Sequence, residues 1–235
     1  MGYPVFRVTE TDILSDISSD KLLAEINNDR AFFFAKVPVS RLDVVHKLCK
    51  IGFGIIDVNV IFERKPYKEY VESNSKITIR KYQKKDQDAV LRIAGSCFKY
   101  SRFHLDPLIP NKLADHIKRE WILNYINGSR GNDLFVAEFE GKPIGFNAVL
   151  DGVQGSERIR IIDLIGVDTA FQRLGVGRKL IDCFIHDSHE NYSILRVGSQ
   201  IVNIPAIRLY NCLNFFVSEA SYVLHAHCRN GEMIQ

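Results

Sequence analysis

The first part of the chain alternates between the hydrophobic periodicities that distinguish helices from strands. Between Asp20 and Phe62 the pattern predicts a helix, a strand, a second helix and a second strand. The second strand is the clearest, because Ile56, Val58 and Val60 alternate with polar neighbours. This order of elements predicts a compact α/β unit.

A charged stretch over residues 63–76 follows this unit. It contains Pro66 and shows neither the helical nor the strand periodicity, which is typical of a linker. We therefore predict a small α/β domain over residues 1–75 and a second domain over residues 76–235.

The second domain shows a longer run of alternating elements. Asp86 is a candidate N-cap for its first helix. The periodicity predicts strands over 77–80, 134–139, 144–150, 158–165, 194–198 and 215–224, and helices over 84–98, 113–128, 173–187 and 205–211. The fold class is therefore α/β.

The overall composition is that of an ordinary globular protein. Of 235 residues, 46% are hydrophobic and 25% are charged, so the chain can bury a sizeable core without metal or disulfide bonds. The net charge of +3 is too small to indicate a nucleic-acid partner. No stretch of about eighteen apolar residues and no export signal occurs, so we expect neither membrane insertion nor secretion.

The five cysteines are odd in number and are never spaced as C-x-x-C. This spacing argues against a disulfide framework and against a structural zinc site. Reduced thiols favour a cytoplasmic location. The run His225-Ala-His227-Cys228 is interpreted as the exposed end of a strand rather than a metal site, because no fourth ligand is apparent.

The most informative segment is 161–178, where an apolar strand enters a glycine-containing turn that opens a helix. Backbone N–H groups and the helix dipole make such a turn suitable for binding phosphate. The segment lacks the G-K-[ST] ending of a Walker A loop, and Leu180 replaces the third glycine of the dinucleotide-binding fingerprint. The remaining pattern is Gln172-x-x-Gly175-x-Gly177.

This pattern resembles the acetyl-CoA pyrophosphate loop of the GNAT N-acetyltransferase superfamily. The resemblance covers about residues 77–230 in element order and implies a mixed, mostly antiparallel sheet, preceded here by the smaller α/β unit. It implies acetyl-CoA as co-substrate, no metal, and backbone groups of Ile165 and Val167 on the pantetheine arm. The pyrophosphate would be bound by the N–H groups of Gln172, Arg173, Leu174, Gly175, Val176, Gly177 and Arg178.

A second match to the family lies further along the chain. Asn203, Ala206 and Tyr210 have the family's residue types and spacing, while Asn214 replaces the usual glycine and must tolerate a left-handed conformation. The resemblance implies that the Asn203–Ala206 region contacts the cofactor and that Tyr210 protonates the leaving thiolate. Taken alone, Tyr210 fits a core aromatic on a short helix better; Asn203 seven residues upstream and the loop before it favour the catalytic role.

Several features resemble the bacterial TDP-4-amino-4,6-dideoxy-sugar N-acetyltransferases within that superfamily. These are the N-terminal α/β unit, the run 33–38, the tripeptide 101–103 and the helix containing Trp121. The resemblance implies a small-molecule amine substrate, a nucleotide-linked amino sugar. Arg102 is our candidate phosphate ligand and Phe103 a candidate apolar wall, although a surface arginine and a core phenylalanine fit equally well.

The sequence leaves the rest of the mechanism open. The matched motifs contain no fixed base, so we expect water-mediated deprotonation of the amine, with Asp163 as a weak candidate. Val167 N–H is the candidate donor to the thioester oxygen. An acetyltransferase acting on a protein or another small amine, and a non-catalytic acyl-CoA-binding module, remain alternatives. A homodimer is possible.

Overall fold

The structure is a computed structural model that describes residues 2–9, 18–24, 29–67 and 76–234. Within these ranges the chain forms ten strands and seven α-helices. The strands are β1 (Val5–Arg7), β2 (Arg30–Pro38), β3 (Gly54–Arg64), β4 (Ile77–Lys81), β5 (Asp133–Phe139), β6 (Lys142–Gln154), β7 (Glu157–Val167), β8 (Ile194–Gln200), β9 (Phe216–Arg229) and β10 (Glu232–Ile234). The helices are α1 (Ser19–Ala24), α2 (Leu42–Lys50), α3 (Gln87–Ala94), α4 (Arg102–Leu105), α5 (Asn111–Ile126), α6 (Val176–Ser188) and α7 (Ile204–Cys212).

The strands form a single mixed sheet. Their order is β1-β2-β9-β3-β8-β7-β6-β5-β4, with β10 added against β9. Only the pairs β1/β2 and β7/β8 are parallel. The predicted α/β class and mostly antiparallel sheet are therefore confirmed.

The N-terminal strands belong to this same sheet. Strand β9, near the end of the chain, lies between β2 and β3, and β3 also pairs with β8. The predicted domain boundary near residue 75 lies outside the described residues. The strands before and after that boundary, β3 and β4, belong to the same hydrogen-bonded sheet.

Helices cover both faces of the sheet. The aromatic run of strand β2 is buried because its side chains alternate between these two faces. Phe33 packs with Val44 and Leu48 of α2 on one face. Phe32, the neighbouring residue, packs with Phe103 and Ala114 on the other face, because successive side chains of a strand point in opposite directions. Helix α6 shares the first face with α2, and α3 and α5 share the second.

The first helix of the predicted second domain is shorter than expected. The predicted range 84–98 contains a single 3₁₀ turn, Lys84–Asp86, followed by α3, which ends before Gly95. Asp86 does not cap α3 with its side chain. Its carboxylate instead accepts hydrogen bonds from the Gln83 N–H and from Arg80.

Candidate active site

Strands β7 and β8 separate from each other at their carboxyl ends. They pair only from Ile159 opposite Ile194 to Ile162 opposite Val197. Beyond that point β7 continues to Val167 paired with β6 alone. The result is a gap between two parallel strands, lined by backbone groups that an extended ligand can pair with as an added strand.

The backbone N–H of Val167 points into this gap. The next N–H, of Asp168, donates to the Ile144 carbonyl of β6 over 2.9 Å, and successive N–H groups of a strand point to opposite sides. On the gap side, the side-chain amide of Gln172 donates to the Val167 carbonyl over 3.2 Å. Ile165 has the same orientation as Val167, so both predicted residues present backbone groups to the gap.

The Cys97 thiol lies against the Val167 N–H. Burial raises the pKa of this thiol to about 12, so it stays protonated at neutral pH and is a poor nucleophile. The close packing requires glycine at position 166, because a Cβ there would lie 2.8 Å from Cys97 Sγ.

The predicted glycine turn follows β7 and opens helix α6. Arg173 and Gly175 have φ values of 63° and 82°, in the left-handed region, and the helix begins at Val176 rather than at the predicted residue 173. The first backbone hydrogen bond of the helix is donated by the Lys179 N–H to the Gly175 carbonyl. The earlier N–H groups are therefore available at a helix N-terminus, which favours an anion.

Close packing places this turn beside the gap. A Cβ at Gly177 would lie 3.4 Å from Leu209 Cδ2 and 3.9 Å from Val167 Cγ2. The structure thus brings together the end of β7, the start of α6 and helix α7. That the turn binds a pyrophosphate stays a prediction.

Helix α7 carries the second predicted set of residues. Asn203 caps it, with Oδ1 accepting from the Ala206 N–H over 3.4 Å. Tyr210 is buried, and its ring centroid lies 5.6 Å from that of Phe62 and 6.1 Å from that of Phe215. Burial raises the pKa of the phenol above its ordinary value, which keeps it in the protonated form that an acid requires.

Asn214 ends the segment in the left-handed conformation expected of it, with φ 59°. The Phe215 N–H donates back to the Tyr210 carbonyl over 3.0 Å. The chain therefore turns sharply after α7 without the glycine that is usual in the family.

A row of cations extends along the opposite face of the sheet. The Arg102 guanidinium carbon lies 4.1 Å from the centroid of the Phe34 ring and 4.6 Å from that of Phe103. Arg102 Nη1 is buried and donates to no described group. Burial, and secondarily the charge of Arg7, lowers the pKa of Arg102 to about 10. Arg102 is therefore partly buried rather than fully exposed at the surface, whereas Phe103 is a buried residue as that alternative supposed.

Two lysines continue the row on either side of Arg102. Lys36 Nζ donates to Asn59 Oδ1 over 3.0 Å. Burial, then Arg102 and Arg7, lowers the pKa of Lys36. Burial and then Arg102 lower the pKa of Lys118 to about 8. Burial is the larger cause in both lysines and repulsion from Arg102 the next, while for Lys118 the Asp163 carboxylate offsets part of the shift.

Asp163 is not available as a base. Its Oδ2 accepts hydrogen bonds from Trp121 Nε1 at 2.7 Å, Tyr125 Oη at 2.8 Å and Arg130 Nε at 2.7 Å. Arg130 Nη2 also donates to Oδ1 over 2.9 Å. These hydrogen bonds outweigh burial and lower the pKa of the carboxyl, so our weak candidate is replaced by a structural role.

The histidines near the end of β9 are buried, and the exposed strand end that we expected there is wrong. His225 Nδ1 and His227 Nε2 both donate to Asp106 Oδ2, over 2.7 and 2.9 Å. The physical reason is tertiary: the loop containing Asp106 covers this end of β9. His225 Nε2 is buried and has no hydrogen-bond partner among the residues that the structure describes.

Sequence patterns did not identify Lys36, Asn59 or Lys118 as site residues. For Lys118 a signal was present, because it lies four residues from both Ala114 and Ile122, on the buried stripe of α5. A lysine on an apolar stripe is unusual enough to mark a candidate site.

Two kinds of feature are absent from the described ranges. No helix there is long and apolar enough to cross a bilayer. No group of three or more histidine, cysteine or carboxylate side chains there is arranged to hold a metal ion.

The family profile described as Acetyltransferase (GNAT) family matches residues 95–215 of this chain. The curated protein SpsD of Bacillus subtilis (strain 168), a spore coat polysaccharide biosynthesis protein, is 24% identical over 195 residues. That match covers 83% of this chain and 66% of SpsD, so the chain spans just under two thirds of this relative.

Solved structures share the fold. A GCN5-related N-acetyltransferase from Sphaerobacter thermophilus aligns with a TM-score of 0.58 at 13% identity, covering 89% of this chain and 64% of that one. A functionally unknown conserved protein from Staphylococcus epidermidis aligns with a TM-score of 0.63 at 15% identity, covering 94% and 81%. At these identities the likeness concerns the fold alone.

Proposed function

The chain belongs to the GNAT acetyltransferase family, and we propose that it transfers the acetyl group of acetyl-CoA to the 4-amino group of a TDP-4-amino-4,6-dideoxy sugar. The family was predicted from the glycine turn and is confirmed. The acceptor is the finer part of the proposal. It is supported by the sugar-linked role in the name of SpsD and by the cation row.

The gap between β7 and β8 fits acetyl-CoA, which supplies a reactive acetyl thioester when bound. Ile165 and Val167 present strand N–H and carbonyl groups to a pantetheine arm. The turn over 172–178 presents N–H groups at the start of α6 to a pyrophosphate. Asn203 and Ala206 lie at the start of α7, which faces the same turn through Leu209.

Two groups of this chain act on the charges that acyl transfer generates. The Val167 N–H donates to the carbonyl oxygen as negative charge develops there. The Tyr210 phenol gives its proton to the departing sulfur. Neither role requires a metal or a covalent bond to the enzyme.

The unpartnered guanidinium of Arg102 is the observation that carries the acceptor class. A partly buried cation that no carboxylate of the described residues neutralises costs free energy in the ligand-free protein, so such a residue indicates a ligand that supplies the missing charge. A diphosphate fits, because Arg102 can bind phosphate oxygens through two N–H groups. Phe34 and Phe103 provide the apolar surroundings for this contact.

The test is acceptor-dependent release of free CoA thiol. The panel contains TDP-4-amino-4,6-dideoxygalactose, the same amino sugar without its nucleotide, other sugar nucleotides, lysine peptides and polyamines. We expect the TDP-linked sugar to have the highest kcat/KM, at least about tenfold above the free sugar. Acetylation of peptides with every sugar nucleotide inactive would overturn the acceptor. Tight acetyl-CoA binding without turnover on any amine would favour a binding module.

A further inference from the structure

Lys118 is a buried ammonium enclosed by aromatic rings. It projects from helix α5, and Nζ lies 4.7 Å from the ring centroid of Trp121, 5.2 Å from that of Phe98 and 5.9 Å from that of Phe103. The residue is buried. In the described part of the chain, no group accepts a hydrogen bond from Nζ and no carboxylate forms an ion pair with it.

Three charged or titratable groups face Lys118 from the elements packed around it. Arg102 of α4 repels the ammonium and Asp163 of β7 attracts it, whereas the Cys97 thiol, which follows α3, would attract it only as a thiolate. The attraction from Asp163 is weak compensation, because Arg130 already neutralises that carboxylate with a two-point contact. Burial therefore dominates, and it favours the neutral amine.

Cys97 connects Lys118 to the reacting end of the gap. The thiol lies against the Val167 N–H, and the charge of Lys118 acts on that same thiol. Phe98 makes a second connection, because its ring centroid lies 5.2 Å from Lys118 Nζ and 6.4 Å from the ring of Phe146, which pairs with Gly166 beside Val167.

We propose that Lys118 is the general base that removes the proton from the acceptor ammonium. The inference rests on the proposed function only in requiring an amine acceptor, of whatever class. It replaces the water-mediated deprotonation expected from sequence with a named side chain, and it assigns a task to a lysine that the matched motifs do not include.

Protons and bonds balance over one turnover. The neutral Lys118 amine takes one proton from the acceptor ammonium, and the freed lone pair forms a bond to the acetyl carbon. As the C–N bond forms and the C–S bond breaks, the sulfur receives the Tyr210 proton. The acylated nitrogen loses its second proton to solvent, Tyr210 regains one from solvent, and Lys118 releases its own. The net products are the amide, the CoA thiol and one proton.

The environment of Lys118 suits this task. A pKa of about 8 leaves roughly a quarter of the amine neutral at pH 7.5, against about a thousandth for an ordinary lysine. A base is most effective when its pKa lies near the operating pH.

Two substitutions separate a base from a mere positive charge. Lys118→Arg keeps the charge but cannot release a proton at neutral pH, and Lys118→Met fills the aromatic enclosure with an uncharged chain of similar length. We expect both to lower kcat by about a hundredfold or more. Lys112→Met, on the exposed start of the same helix, is the matched control and retains wild-type kcat. Near-normal turnover in Lys118→Arg would overturn the proposal.

Chemical rescue tests the proton transfer itself. Methylamine and ethylamine added to Lys118→Ala are expected to restore part of kcat, increasingly as pH rises toward their pKa values. Failure of rescue, with acetyl-CoA affinity intact by calorimetry, would show that Lys118 only supports the structure. Acetylation of the rescue amine is measured separately by mass spectrometry.

A readout without turnover completes the test. Titration of the Lys118 side chain by NMR, using reductively ¹³C-methylated protein and Lys118→Met for assignment, is expected to show a midpoint near 8. A midpoint near 10 would contradict the proposal. The kinetic assays use whichever amine the acceptor panel identifies, so a wrong acceptor class and a wrong base give different results.

Discussion

The Trp121 indole N–H donates to Asp163 Oδ2 over 2.7 Å and thereby ties helix α5 to strand β7 where that strand leaves β8. Tyr125 and Arg130 donate to the same carboxylate. Since α5 also carries Lys118, this carboxylate fixes the helix that positions our proposed base. Asp163 thus acts on the site through structure and not through proton transfer.

We expect Asp163→Asn to destabilise the protein by about 2 kcal/mol, because it removes the charge of a buried carboxylate from Arg130 and places an amide donor among groups that themselves donate. Since the pKa of Asp163 is lowered in the fold, its stabilisation is present above the unfolded pKa and is lost as pH falls through the folded value. Urea unfolding at pH 7 and pH 3 measures both effects. Asp88→Asn, on an exposed position of α3, is the control, and equal stability of the two variants would contradict this role.

The glycine turn makes a prediction about acetyl-CoA affinity. Gly177→Asp adds negative charge at the start of α6 and is expected to weaken acetyl-CoA binding by about tenfold or more. Gly177→Ala is the matched control, because the added Cβ meets Leu209 at an ordinary contact distance of 3.4 Å. Calorimetry compares the two. Equal affinity in folded Gly177→Asp would remove the turn from the binding site.

Tyr210 makes a prediction about turnover. Tyr210→Phe keeps the ring packed against Phe62 and Phe215 and removes only the hydroxyl, so acetyl-CoA affinity is expected to persist while kcat falls about a hundredfold. The raised pKa of the phenol means that its deprotonation does not limit the rate between pH 6 and pH 9. Tyr100→Phe, at a solvent-exposed tyrosine, serves as control. A near-normal kcat in Tyr210→Phe would assign the proton to water.

Arg102 makes a paired prediction about activity and stability. Arg102→Met is expected to lower kcat/KM for the TDP-linked sugar about tenfold to a hundredfold, because a charge-assisted contact is lost. The same variant is expected to leave the ligand-free protein as stable or more stable, since Nη1 of the guanidinium is buried and has no hydrogen-bond partner in the described part of the chain. Arg119→Met, on the exposed side of α5, is the control. A stability loss with unchanged kinetics would make Arg102 a packing residue.

His225 makes a prediction about pH. Burial lowers its pKa in the fold, so the unfolded chain binds a proton that the folded chain does not as pH falls below about 6.5. This group is therefore expected to make the free energy of unfolding decrease as pH falls below about 6.5. His225→Gln removes that contribution, which urea unfolding at each pH measures. An unchanged slope in the variant would show that His225 does not titrate in this way.

The parts of the site that sequence predicted are those with local causes. The turn after β7 depends on glycine conformation and on the helix that follows, and both are set within a few residues. Asn214 was expected in a left-handed conformation for the same local reason, and its φ of 59° confirms this. The order of elements that carries the fold also follows from periodicity along the chain.

The parts that sequence missed depend on contacts between distant segments. Whether His225 is exposed is decided by the loop containing Asp106, which lies far away in sequence. The availability of Asp163 is decided by Arg130 and α5. The burial of Arg102 requires Phe34 of β2 to be adjacent, and no pattern within either segment specifies that neighbour.

The position of β9 between β2 and β3 has a consequence for how the protein folds. Strands β2 and β3 cannot pair with β9 until it has been synthesised, and β9 follows most of the chain. The edges of β2 and β3 that pair with β9 therefore stay unpaired during translation. Pairings between segments so distant in sequence make folding slow. The unpaired strands β2 and β3, and above all the aromatic run of β2, are the segments most prone to associate with other chains. A nascent chain halted before β9 is therefore the form that we expect to need a chaperone.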